Sequence, residues 1–252
     1  MKRGAKLRAR AQRVRKGEQL ELVFRTWGGR RAGAGRKKVS TQTVVHHRRP
    51  KHSRHNPLTI TLRVVDGVPS LRSKKVFRIV SKALLLANTR GKHAAHFRVT
   101  HFSVQSNHVH LVAEASNAQR LSRGVQGLAV RVARRLNLAL GRRGRLFSER
   151  YHSRPLKTPR EVRHALAYVL LNERRHLAAE RGLSLPPWYF DPCSSSAEFD
   201  GWRPIFGLSP PAIAARQVTV PAQTFLLTRL WRRYGLIAPD EVPGSTSSRR
   251  KQ

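Results

Sequence analysis

The chain has 252 residues, of which 51 are Lys or Arg and 13 are Asp or Glu, for a formal charge of +38. So positive a molecule lacks the mixed-sign exterior of an ordinary metabolic enzyme and seeks a polyanion, nucleic acid first. Its one cysteine, Cys193, excludes a disulfide scaffold and a multi-cysteine zinc finger. No apolar run approaches the roughly 18 to 20 residues that span a bilayer, so a reducing cytoplasmic setting is expected.

Residues 1–57 read as a basic, largely disordered arm, with Glu18 and Glu21 its only acids. Its run Gly28-Gly-Arg-Arg-Ala-Gly-Ala-Gly-Arg-Lys-Lys38 has nothing to bury. Such an arm is solvated, neutralises phosphates, or does both. Order is expected from Leu58, where Leu58 to Val65 alternates apolar and polar residues as a half-buried strand does, until Asp66-Gly67 ends it. Ser73 is a plausible cap for a helix to about Thr89, with Val76, Phe77, Val80 and Leu84 at helical spacing and Gly91 closing it. His96 to Val104 and His108 to Ala115 read as two strands, and the three residues between them make an antiparallel hairpin the simplest join.

Ala118 to Leu140 carries the apolar stripe of a helix, broken by Gly141-Arg-Arg-Gly144. Phe147 to Leu156 reads as a short strand or an extended loop. Thr158-Pro159 is a cap followed by a first-turn proline, opening a helix predicted to run to about Arg181, with Gly182 just past it. Pro186, Pro187 and Pro192 mark a linker-like change. Residues 58–190 are thus expected to form the main folded domain and 191–252 a less regular C-terminal extension. That extension carries one helix over Val220 to Tyr234 and a polar tail from Pro243. The helix's Arg229, Arg232 and Arg233 either lie against DNA or face water.

The acidic residues between Leu58 and Arg181 are scattered, which disfavours a carboxylate-clustered two-metal site. The 12 histidines are the alternative supply of metal ligands. In a strand, the side chains of His108 and His110 point to the same face, about 7 Å apart along the backbone, while Val109, Leu111 and Ala113 point to a core. Such a pair either shares a divalent ion or stands solvated. On the following helix Tyr168 and Asn172 are four residues apart, and so on one side, bordering the stripe Val162, Ala165, Leu166 and Val169. Taken alone, that tyrosine could equally pack at the core edge with its hydroxyl in water.

Together these blocks carry a resemblance. Gln105-Ser-Asn-His-Val-His-Leu-Val112 resembles the His-hydrophobe-His (HUH) motif of single-tyrosine transposases, in particular the REP-associated tyrosine transposases. Arg145-Leu-Phe-Ser-Glu-Arg-Tyr-His152 is similar to that family's segment before its catalytic helix, and Ala167-Tyr-Val-Leu-Leu-Asn172 resembles the helix that bears the nucleophile. The likeness covers about Leu58 to Trp202. It departs at Glu173, where the family continues with proline. The resemblance implies an α+β fold, a central antiparallel sheet with packed helices. It implies Tyr168 as the nucleophile and His108, His110 and Asn172 as ligands of one Mg²⁺ or Mn²⁺. Two imidazole ligands favour Mn²⁺ on chemical grounds. The products would be a 5′-phosphotyrosine link and a free 3′-OH. The implied partner is single-stranded or hairpin DNA, and the protein would be a cytoplasmic, nucleoid-associated monomer or homodimer.

Arg142, Arg143, Arg145, Arg150 and Arg154, with Tyr151 and His152 for base stacking, are candidate DNA contacts or a solvated basic loop. A non-catalytic binder, domesticated or ribosome-associated, explains the charge equally well but not the joint spacing of the histidines, tyrosine and asparagine. Replication initiators and relaxases of the HUH class often carry paired tyrosines or further domains. The predicted helix here has one tyrosine, and the chain has no Gly-Lys-Ser/Thr phosphate loop.

Overall fold

The computed structural model describes residues 52–90, 94–187, 189–205 and 217–244. The expected basic arm lies outside these residues as far as Lys51, as do the helix stop at Gly91 and the tail beyond Gly244. All described residues fall in one compact unit, His46–Gln252.

The fold is α+β, built on a four-stranded antiparallel sheet ordered β2-β3-β1-β4. Its strands are β1 (Leu58–Arg63), β2 (Phe97–Val104), β3 (His108–Ala115) and β4 (His152–Pro155). Alternation gives the sheet two buried faces. Leu58, Ile60 and Leu62 of β1 and Val109, Leu111 and Ala113 of β3 point into one core beneath α1 (Lys74–Thr89) and α2 (Ala118–Ala139). Val112 points into a second core beneath α3 (Pro159–Leu170). A bulge between Val99 and His101 inserts one residue into β2, so Phe97 and Val99 before it and Phe102 and Val104 after it all reach the first core. The Asn88 side chain receives the Val99 N–H at 2.8 Å and donates to the Val99 carbonyl at 2.9 Å.

The helix ends follow from local chemistry. Asn117 caps α2 by accepting from the Arg120 N–H at 2.9 Å. Thr158 and Glu161 form a reciprocal capping box with Pro159 in the first turn of α3. Ser73 stands at the N-cap of α1 but makes no side-chain cap bond. Gly182 takes φ 62° to end α4 (Asn172–Arg181).

Two expected helices differ in the structure. The one from Thr158 to Arg181 is two helices, because Leu171 leaves helical geometry at φ −108°, ψ 19°. The Leu171 N–H still bonds to the Ala167 carbonyl, and the Arg175 N–H to that of Leu171, so the interruption bends the rod without resetting its phase. The stretch Val220 to Tyr234 holds only the single-turn α5 (Phe225–Thr228) and a 3₁₀ turn, Leu230–Tyr234. Arg229, at φ −128°, ψ −55°, separates them, and the buried Glu114 carboxylate receives the Gln223 and Thr224 N–H groups ahead of α5. This segment seats Leu227 and Trp231 in the second core against α3.

A close approach of α2 to the sheet gives a paired prediction. A methyl group added at Gly124 would stand 2.2 Å from a Phe97 ring carbon, whereas one at Gly127 meets nothing within 4 Å. Gly124→Ala should lower stability by about 1–3 kcal/mol through overpacking. Gly127→Ala should raise it by about 0.5–1 kcal/mol through helix propensity. Urea denaturation of the two variants checks the contrast, and equal effects would contradict it.

Candidate active site

His108 and His110 project from β3 onto the face opposite Leu111, at the end of the sheet where Arg63 pairs with His108 and Thr61 with His110. Their Nε2 atoms stand 2.9 Å apart. Each ring is held from behind: His108 Nδ1 lies 2.7 Å from Asn107 Oδ1, and His110 Nδ1 lies 3.0 Å from Thr61 Oγ1. Such outer partners fix a ring's orientation and tautomer, and the Asn107 oxygen selects a proton on His108 Nδ1. Burial, then the neighbouring charges of His108, His176 and Arg175, push His110 down to about 3. Burial, then His176 and Arg63, also lower His108. Both rings are therefore neutral at pH 7, and neutral imidazoles offer lone pairs.

The helical side of the site comes from α3 and α4. The Tyr168 ring meets His110 edge-on, with centroids 5.2 Å apart at 77°. One turn beyond Asn172, the His176 ring lies 6.4 Å from that of His108. Tyr168 on α3 is followed at four-residue intervals by two residues of α4, His176 and, between them in sequence, Asn172. Its side chain is wholly buried, and neither amide atom has a hydrogen-bond partner. Among the described residues no group of three or more His, Cys, Asp or Glu side chains is arranged to hold a metal ion.

Several expected contacts lie elsewhere. Glu173 turns away from the tyrosine to Arg72, 3.3 Å away, which also pairs with Asp191 at 2.8 Å. Burial raises the Glu173 carboxyl above its ordinary range despite Arg72. Of the loop arginines, Arg154 lines a cavity of about 1510 Å³ that Thr61, His110 and Tyr168 also line. Arg154 is paired with Glu161 at 2.6 Å. Arg142, Arg143, Arg145 and Arg150 do not line that cavity. Tyr151 packs, partly buried, against the first core. His152 stays exposed beside Glu149 at 3.4 Å.

Sequence reasoning missed His176, Arg175 and the far wall of the cavity. His176 was visible as the third member of the four-residue spacing. Arg175 sits with its Cζ 5.4 Å from the centre of the Tyr168 ring. The far wall is residues 240–244, drawn to α3 by two bonds from the Arg163 guanidinium to Glu241, at 2.9 and 2.8 Å. A contact between residues so distant in the chain has no local signature.

The depressed histidines predict how stability varies with pH. His110 falls from 6.5 to about 3 in the folded chain and His101, also buried, to about 4. The unfolded chain therefore takes up these protons first. Stability should be full well above pH 6.5 and fall with acidification towards pH 4, by at most about 1.4 kcal/mol per pH unit for each ring. Thermal melts between pH 7 and 4.5 should show a shallower fall for His110→Gln than for the wild type. Parallel curves would refute the assignment to His110.

No protein-family model and no curated protein matches the chain. Among solved structures, the chain is similar to a REP-associated tyrosine transposase bound to a REP hairpin, at 13% identity and a TM-score of 0.39. That match covers 52% of this chain and 73% of the other. Among the described residues, no helix is long and apolar enough to cross a membrane.

Proposed function

We propose that this protein is a transposase-like enzyme that cuts and rejoins single-stranded or hairpin DNA through attack of Tyr168 on a phosphodiester. One observation carries the reading: a paired His108–His110 couple, part-buried on one face of the sheet, meets a tyrosine of the facing helix edge-on, in a chain of charge +38. The charge supplies affinity for the phosphate backbone, while the couple and the phenol supply the chemistry.

The donor set fits a divalent cation. Two nitrogens in adjacent positions of one octahedral ion, each about 2.1 Å from it, stand about 3 Å apart, close to the 2.9 Å between the two Nε2 atoms. The unpartnered Asn172 amide offers an oxygen for the third position, and burying it unsatisfied costs about 1–3 kcal/mol. His108, His110 and Asn172 would hold Mg²⁺ or Mn²⁺, which when bound supplies polarisation of a phosphoryl oxygen.

The remaining work belongs to the chain. Thr61 and Asn107 hold the imidazoles in register, and α3 holds the phenol beside them. The Tyr168 oxygen bonds to phosphorus, the bond from phosphorus to the preceding 3′-oxygen breaks, and that oxygen ends protonated as the phenol loses its proton. The resulting 5′-phosphotyrosine conserves the phosphodiester, so the strand can be rejoined without ATP.

The test is direct. The protein is mixed with end-labelled hairpin-forming single strands and MnCl₂, then run on a denaturing gel. Label migrating with the protein supports the reading. Binding of the strands with no covalent label at any metal concentration would leave the non-catalytic binder.

A further inference from the structure

We propose that Arg175 is a catalytic residue of this site, the group that holds the reacting phosphate against Tyr168. The inference rests on the tyrosine reading above. Two arginines that line the cavity beside Tyr168 have carboxylate partners: Arg154 has Glu161 and Arg163 has Glu241. Arg175 has no such partner among the described residues. Its guanidinium lies over the Tyr168 ring instead, with Cζ 5.4 Å from the ring centre.

In a molecule this cationic, a half-buried guanidinium left without a carboxylate beside two neutral imidazoles is electrostatically costly unless an anion joins it. The anion must approach the face of the tyrosine, since that is where the guanidinium lies. A phosphodiester does so in the attack, and its charge grows as the phenol oxygen adds. A guanidinium suits that task because its planar fork donates to two phosphate oxygens at once. Its attraction for the phenol ring also strengthens as the ring gives up its proton.

Arg175 lies just past the bend at Leu171, on α4, whereas Tyr168 lies on α3. The bend thus sets the angle at which the guanidinium meets the phenol. Gly244, at the end of the cavity's far wall, comes close to the same side chain: a methyl group there would lie 3.7 Å from Arg175 Nε.

The experiment needs no knowledge of the DNA sequence. The probe is thymidine 5′-(4-nitrophenyl phosphate) with MnCl₂. The Tyr168 oxygen bonds to phosphorus, nitrophenolate leaves with the electron pair of the broken bond, and the phenolic proton passes to buffer. Nitrophenolate release and the mass of the adduct report the step. Arg175→Ala should slow it by roughly 10²-fold, Arg175→Lys by less, and millimolar guanidinium chloride should restore much of the rate to Arg175→Ala alone. Unchanged release from Arg175→Ala, with the wild-type adduct still dependent on Tyr168, would overturn the proposal and leave the tyrosine reading intact. A loss that guanidinium does not ease would mark a packing role and overturn it as well. Absence of any Tyr168 adduct in the wild type would remove the tyrosine reading, and this proposal with it.

Discussion

Tyr168→Phe should abolish the covalent protein–DNA adduct, by more than about 10³-fold, while leaving affinity for the same single strand within about a factor of two. The substitution removes one oxygen and keeps the ring that meets His110 and carries the Arg175 guanidinium. Packing and charge survive, and only the nucleophile is lost. His108→Ala should behave alike in the gel assay and differ in its cause, since the nucleophile remains and the donor pair is halved. Affinity should again survive, because phosphate contacts spread over many Lys and Arg side chains dominate it and no single imidazole does. A salt titration separates the two quantities. If cleavage and binding decline together in either variant, the division between a binding surface and a reacting centre is wrong. A label retained by Tyr168→Phe would put the nucleophile elsewhere.

The largest effect on stability should come from Trp231→Ala. Trp231 is 1% exposed and stacks on Phe199 at 5.7 Å. Its Nε1–H donates to the Leu227 carbonyl at 2.9 Å, and Gly201 is pressed against its ring. Removing the indole deletes the largest side chain of the second core and leaves a cavity that a backbone so tightly bonded cannot close. A loss of about 3–5 kcal/mol is expected, seen as a drop in Tm of roughly 10 °C. The same core seats α3, so adduct formation should fall at temperatures where the wild type is still active. A loss below about 1 kcal/mol would mean that residues 217–244 contribute little to this core.

How much of this was legible in the sequence depended on the range of the forces involved. Period-two alternation gave β1 and the β2–β3 hairpin, and with them the shared face of His108 and His110, because a strand's alternation is fixed by its own backbone. Thr158 and Pro159 marked the start of α3 for the same reason: a cap is made within four residues. The bend at Leu171 was not legible, since the stretch Ala165 to Leu171 is apolar and unbroken and nothing in it forbids helix. Nor was the fate of Glu173, whose partner Arg72 is also bound by Asp191, on a separate loop that bonds the outer edge of β2 through Cys193 and Ser195. The basic loop shows the same limit of range. Its arginines are adjacent to the tyrosine in sequence, yet β4 carries that stretch along the sheet edge, and Arg154 is the one that lines the cavity.

The bend has a mechanical consequence. α3 is rooted through Val162, Ala165, Leu166, Ala167, Val169 and Leu170, whereas α4 buries only Asn172 and Arg174, the latter tethered to the Leu185 and Pro186 carbonyls. The phenol therefore rides on an anvil, and the amide, guanidinium and imidazole that attend it ride on a lightly pinned lever. Adjustment falls to the lever, because tilting it disrupts little apolar packing, while the phenol stays where α3 holds it.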